Sequence, residues 1–182
     1  MNKRRNFLIL SAIGLTGGAG WLQARNQEEP NKVMNESTKD ILSKLESNPS
    51  SIVPLELSRE RWINALSEES FYVLREEGTE RPFTSALNDE KRNGVYVCAG
   101  CSLALFSSES KFDSGTGWPS FYDAIEGRVE TKTDYKLIIP RTEYHCARCG
   151  GHQGHVFKDG PRPTGLRYCN NGVALKFIPN EA

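Results

Sequence analysis

Beyond residue 24 the chain has no apolar run long enough to cross a bilayer. Nor has it a surplus of charge. Lysine plus arginine number 23, aspartate plus glutamate 23, and the net charge is zero. That balance excludes a general electrostatic pull toward nucleic acid or a membrane surface. No internal repeat is visible, so a stacked-repeat architecture is excluded too. Spare cysteine is scarce: of five, four sit in two CxxC pairs, and only Cys169 stands alone. What is present, 182 residues with 37% hydrophobic and 25% charged content, suits one soluble globular domain plus extras.

The first extra is N-terminal. Lys3, Arg4 and Arg5 precede an apolar run from Phe7 to Leu22 that is interrupted by Ser11, Gly14, Gly17, Gly18 and Gly20. Basic, then apolar, then small is the order of an export signal. Arg4-Arg5-x-Phe7-Leu8 resembles a twin-arginine signal. Residues 1–24 therefore read as an export signal or, on the rival reading, an uncleaved membrane anchor. Either places the remainder outside the cytoplasm, periplasmic or anchored facing outward. Residues 25–54 are polar and poor in aromatics, a linker composition, and residues 55–182 form the domain.

Within the domain, Ser58 is a helix N-cap before RERWINAL, with Trp62, Ile63 and Leu66 on one face. Ser67 caps a second helix, which carries Phe71, Val73 and Leu74 and stops at Gly78. After Gly94 the pattern changes to short runs bounded by turn residues: VYVCAG, LALF, VETKTDY, KLIIPRTEYHC, GHVFKD and LRYCNNGVALKFIP. Two early helices followed by many short strands predict an α+β fold, mainly antiparallel β.

Cys98-x-x-Cys101 and Cys146-x-x-Cys149 are separated by 44 residues. Each CxxC is a tight turn that aims two sulfurs at one point, and two of them supply the closed tetrahedral shell of a structural Zn2+. Ligand count and spacing favour zinc over disulfides, which an oxidising compartment would allow, and over a thioredoxin-like redox pair, whose βαβ context is missing. A twin-arginine route carries folded protein, so metal loaded before export is compatible with the signal. Cys169 is then the one free thiol.

In a strand, Arg167 and Asn171 share a face with Cys169. A permanent cation and an amide beside one sulfur suit a reactive thiol, but a small buried cysteine in an ordinary strand fits the pentapeptide equally well. His152 and His155 lie three apart, with Asp159 four residues on. Imidazoles near a thiol can lower its pKa or give a substrate oxygen a proton, although each histidine alone reads more simply as a surface residue or part of an extra metal site. His145, beside the second CxxC, reads as structural. Trp118, between Gly117 and Pro119, suits display to an apolar or methyl-bearing ligand, with a core position as the rival.

In this order CAGC, SGTGWPSF, CARCG, HQGHVFKDGPRPTG and RYCNN resemble the methionine-R-sulfoxide reductases, the MsrB family, over roughly Leu57 to Ile178. The resemblance implies a zinc-stapled set of antiparallel sheets with short N-terminal helices. It implies that Cys169 is the nucleophile, flanked by Arg167 and Asn171. His152 and His155 would be the active-site histidines, Asp159 an accompanying carboxylate, and Trp118 the surface for the sulfoxide's methyl group. Cys98, Cys101, Cys146 and Cys149 would be the zinc ligands. Substrates would be oxidised proteins or peptides, and the product on Cys169 a sulfenic acid.

The chain departs from the family pattern at two positions. Thr116 stands where many members carry a resolving cysteine, so a one-cysteine cycle with an external reductant, a thioredoxin-like protein or a small thiol, is expected. Gln153 replaces the leucine usual between the two histidines. Two other classes compete with repair: a non-catalytic zinc-stapled binding module, and a disulfide oxidoreductase using a CxxC.

Overall fold

The computed structural model describes residues 52–136 and 140–180, so the expected export segment and most of the expected linker lie outside the described residues. Among the described residues two helices come first, α1 (Arg59–Ala65) and α2 (Glu68–Glu76). Ser58 Oγ accepts from the Arg61 N–H, and Ser67 Oγ from the Ser70 N–H, so both serine caps form as the sequence predicts. Trp62 is buried, but Ile63 turns outward and is half exposed. The left-handed residue that ends α2 is Glu77 (φ 54°), not Gly78. Lys132 and Lys136 hold the Glu77 carboxylate at 2.5 and 2.7 Å. Gly78 serves close approach instead, since a Cβ there would run into the Tyr72 ring. Among the described residues no helix is long and apolar enough to cross a membrane.

Nine strands follow among the described residues. They are β1 (Gly94–Cys98), β2 (Ala104–Ser107), β3 (Lys111–Phe112), β4 (Ser120–Phe121), β5 (Val129–Asp134), β6 (Arg141–Cys146), β7 (His152–Phe157), β8 (Arg167–Asn170) and β9 (Leu175–Pro179). They form two antiparallel sheets, ordered β2-β1-β9 and β3-β4-β8-β7-β6-β5. The α+β, mainly antiparallel expectation holds. LRYCNNGVALKFIP is two strands in different sheets, joined by a short 3-10 turn at Gly172–Ala174. The Glu80 carboxylate accepts from the N–H groups of Gly172 and Val173 and fixes that break.

The two sheets meet on an aromatic core. Phe106 and Phe121 stack at 4.2 Å, and Tyr96 and Tyr144 meet them edge-on. All four rings are fully buried. This core is the rigid floor under β8. Behind Cys169, the Tyr144 hydroxyl donates to Asn170 Oδ1 at 2.6 Å, and Asn170 Nδ2 donates to the Asn171 carbonyl at 2.7 Å. At the N-terminal edge, Leu55 N–H donates to the Arg148 carbonyl at 2.6 Å, and Ile52, in the stretch read as linker, packs on the core.

Candidate active site

β8 places Cys169 between two partners, opposite Ser120 on β4 and His155 on β7. Directly opposed residues hold their Cβ atoms about 4.5–5.5 Å apart, so His155 is a neighbour of the sulfur by register. Cys169 is half-buried, and burial pushes its thiol above the usual value. The Arg167 charge and hydrogen bonding to Thr116 and Arg167 pull the other way. The net is a thiol that rests protonated at neutral pH with its conjugate base already provided for.

Each neighbour is held from behind. The Arg167 guanidinium donates through Nε and Nη2 to the two Asp159 oxygens, at 2.9 and 2.8 Å, and lies 4.3 Å over the Phe157 ring. Asp159 is exposed and reaches the thiol only through this fork. His155 Nε2 donates to Asp134 Oδ2 at 2.8 Å, and the same oxygen accepts from Arg141 Nη2 at 2.6 Å. The Lys136 backbone N–H, followed by His155 and Arg141, holds the Asp134 carboxyl well below the carboxylate range. An ionised acceptor keeps the proton on His155 Nε2 and leaves Nδ1 with a free lone pair. Burial lowers the His155 pKa, against the pull of Asp134, so the ring is neutral at rest.

His152 is almost fully buried. Its Nδ1 donates to Glu143 Oε1 at 2.6 Å, while Nε2 has no partner. Burial raises the Glu143 pKa, but hydrogen bonds from His145 and His152 outweigh it and hold the carboxyl at about 2. His145 is thus tied to this network through Glu143 Oε2, 3.1 Å away.

Trp118 is half-buried, and its Nε1 donates to the Glu80 carbonyl at 3.2 Å. Glu80 N–H in turn donates to Asn171 Oδ1 at 3.0 Å, and Asn171 Nδ2 donates to the Gln153 carbonyl at 2.9 Å. The Asn171 amide is therefore spent on backbone groups. It fixes the indole relative to β7 and β8 and does not present a free donor to the sulfur. β8 ends at Asn170, so Asn171 does not continue the strand as its spacing suggested.

Cys169, Trp118, His155, Phe157 and Asn171 line one cavity of about 120 Å³. That is well below the roughly 300–1,000 Å³ of drug-sized sites and admits a side-chain tip. A second, polar cavity of about 330 Å³ adjoins it, sharing Thr79, Arg141 and His155, and His152 lines this one rather than the first. Asp134, Arg141, Glu143 and Glu80 are positions around the site that the sequence reading did not include. For the first three the signal available was the alternation along β5 and β6, which turns alternate residues to one face; nothing in the sequence marks Glu80.

The four CxxC sulfurs converge at the far ends of β1 and β6. Cys98 and Cys149 Sγ are 3.7 Å apart, Cys101 and Cys146 Sγ 3.4 Å, and all four lie within 4.8 Å. A tetrahedron with 2.3 Å metal–sulfur bonds has edges of about 3.8 Å, whereas a disulfide needs about 2.05 Å. Four buried or half-buried sulfurs at this spacing form a metal-binding cluster, and the donor set fits zinc. Gln153 Nε2 donates to Cys98 Sγ at 3.4 Å, which gives the departure from leucine a role at the cluster.

Residues 66–179 match the SelR domain family model. The chain is 54% identical over 128 residues to the peptide methionine sulfoxide reductase MsrB of Methanosarcina barkeri, covering 70% of this chain and 90% of that protein. It is 52% identical to the corresponding Methanosarcina mazei protein, covering 70% and 91%. It is 53% identical over 122 residues to the chloroplastic peptide methionine sulfoxide reductase B1 of Arabidopsis thaliana, covering 66% and 60%. With the lone thiol, its histidine partner and the four-sulfur cluster all inside the matched region, the chain belongs to the SelR-domain, MsrB family of peptide methionine sulfoxide reductases.

Proposed function

We propose that the chain reduces methionine-R-sulfoxide in proteins or peptides to methionine, with Cys169 as nucleophile. The observation that carries this is the pairing of a half-buried, protonated thiol with a neutral histidine across one strand pair, in a cavity walled by an indole. The thiol proton passes to His155 Nδ1, so thiolate and imidazolium form together as the substrate is engaged. The thiolate attacks the sulfoxide sulfur, and His155 delivers the proton to the oxygen. The sulfur–sulfur bond made by that attack then breaks as the hydroxyl moves from the substrate sulfur to Cys169, so the sulfoxide S–O bond is lost, a Cys169 S–O bond forms, methionine leaves, Cys169 loses two electrons and the substrate sulfur gains two. Arg167 stabilises the thiolate, and Trp118 holds the methyl group. His152, in the adjoining cavity on Glu143, positions the ring of His155, whose centroid is 5.5 Å away.

The sulfenic acid is reduced from outside. An external thiol attacks the Cys169 sulfur and expels water, giving a mixed disulfide, and a second external thiol attacks that disulfide, releasing Cys169 as a thiol and leaving joined to the first as a disulfide. The other four cysteines are gathered at the cluster, and Thr116 offers only a hydroxyl. Mass spectrometry after one equivalent of sulfoxide should find sulfenic acid on Cys169; an internal Cys169 disulfide would overturn this cycle. The reductant is a thioredoxin-like protein or a small thiol.

Zn2+ held by Cys98, Cys101, Cys146 and Cys149 supplies a structural cross-link between β1 and β6 and no reaction step. Elemental analysis should give one zinc per chain, with none bound when Cys98→Ser and Cys149→Ser are combined. Residues 1–24 direct export by a twin-arginine-type route, and residues 25–54 tether the domain. Replacing Arg4 and Arg5 by Lys should retain the protein in the cytoplasm.

The deciding experiment supplies peptides carrying the separate R and S epimers, with dithiothreitol as reductant, to wild type and Cys169→Ser. Loss of the R epimer alone, abolished by the substitution, is expected. Turnover of neither epimer by the zinc-loaded wild type would sink the reductase reading.

A further inference from the structure

Phe83 combines three properties that rarely coincide. It is a large apolar side chain left 73% exposed. Its backbone is left-handed (φ 64°), a conformation that bulky residues adopt only where the surroundings impose it. And its ring lies against Gly117, where a Cβ would come within 2.8–2.9 Å of three ring atoms. Gly117 itself has φ 89°, so side chains are barred there by conformation and by the ring together.

The two segments are fastened to each other. Phe83 N–H donates to the Gly117 carbonyl at 2.7 Å, and Asn88 Nδ2 donates to the same oxygen at 3.1 Å. One residue after Gly117, Trp118 donates back to Glu80, three residues before Phe83. Gly117 is flanked by Thr116, which contacts the thiol, and by Trp118, which walls the substrate cavity. The exposed ring is thus held one residue away from the indole along the chain, and Asn171 ties Glu80 to the end of β8. On the opposite side of the cleft the surface is charged, with Lys132, Asp134 and Lys136 around the second cavity.

From this, and resting on the reductase reading, we infer that Phe83 is a docking residue for the substrate polypeptide. It takes an apolar side chain within about two residues of the methionine sulfoxide, a reach of roughly 7 Å along an extended chain. The left-handed backbone and the Gly117 contact hold an aromatic ring in water beside the loop that carries Trp118, where an apolar partner can cover it.

The test compares kcat/KM on three R-sulfoxide substrates: a peptide with Leu beside the oxidised methionine, the same peptide with Asp there, and N-acetyl-methionine-R-sulfoxide amide. Wild type should prefer the Leu peptide over the Asp peptide. Phe83→Gly suits φ 64°, so its melting temperature should hold or rise. It should lower kcat/KM for the Leu peptide about tenfold, the scale of one lost apolar contact, through KM, and abolish the Leu-over-Asp preference. Phe83→Leu should retain most of that preference. Equal wild-type rates on the two peptides, or an equal fall on peptide and amide in Phe83→Gly, would overturn the inference. Wild type inactive on all three would instead overturn the reductase reading itself.

Discussion

Asp134 is the position where the site makes its strongest quantitative demand. One of its oxygens accepts from both His155 and Arg141, at 2.8 and 2.6 Å. A hydrogen bond to a charged group contributes about 1.5–3 kcal/mol, a neutral one about 0.5–1.5. Asp134→Ala removes the whole interaction, so if His155 acts in the transition state kcat should fall about 10- to 150-fold at 1.36 kcal/mol per decade. Asp134→Asn keeps a neutral acceptor and loses about 1–1.5 kcal/mol, or roughly 5- to 12-fold. Arg141 loses its partner in Asp134→Ala and its charged partner in Asp134→Asn, but it is partly exposed and water can take its place. A pH profile separates positioning from scaffolding. His155 titrates below its ordinary 6.5 because burial disfavours the imidazolium, and Asp134 opposes that effect. Removing the carboxylate lowers the His155 pKa further. The acid limb of kcat/KM on the R-epimer peptide should therefore move to lower pH while the plateau drops. The linkage sign for stability is separate: the Asp134 pKa is lower folded than unfolded, so its contribution is present above about 3.8 and lost on acidification. Wild-type kcat and an unmoved acid limb in both variants, with folding intact by circular dichroism, would refute the role given to His155.

Arg167→Met keeps a stem on Phe157 but removes the cation that lowers the Cys169 thiol. Below the pKa the thiolate fraction falls about tenfold for each unit of rise, so alkylation of Cys169 by iodoacetamide near pH 8 should slow severalfold, and unchanged alkylation would argue against the charge effect. Tyr144→Phe leaves Asn170 Oδ1 buried without its 2.6 Å donor, which should cost about 1–3 kcal/mol in urea unfolding; a loss under 0.5 kcal/mol would mean that this bond is not what holds β8.

The parts of this protein legible in the sequence are those whose chemistry is local. Ser58 and Ser67 cap the helices they precede because a serine N-cap needs only the next three residues. The CxxC turns announce their geometry within four positions, and two such turns can share one metal whatever lies between. What the sequence withheld is registered across strands. That Asp134 meets His155 depends on β5, β6 and β7 pairing so that positions 21 residues apart share a face. Glu143 is equally silent in sequence, since its two histidine partners come from β6 and β7. Glu77 rather than Gly78 takes the αL position, and there two lysines distant in sequence hold its carboxylate, a tertiary contact that local propensity does not contain.

Thr116 joins both kinds of information. Its identity alone removes a second sulfur from the neighbourhood of Cys169. Its placement adds that the hydroxyl hydrogen-bonds with the thiol and is backed by Ser114 at 2.8 Å, which reaches Ser120 at 2.8 Å. Ser120 is the residue opposite Cys169 on β4. The three hydroxyls therefore form a chain that begins at the sulfur and ends on the strand opposite it, on the side away from His155. A hydroxyl there stabilises the thiolate by donating to it, and by accepting it can hold the sulfenic acid's O–H, but it has no route to displace the oxygen. In the proposed cycle, the residue that supports the nucleophile would leave its oxidised form to a thiol from outside. Restoring a sulfur with Thr116→Cys should convert the product of one turnover from sulfenic acid to an internal disulfide between residues 116 and 169. Persistence of the sulfenic acid in that variant would show that the loop holds position 116 too far or too rigidly for the two sulfurs to meet.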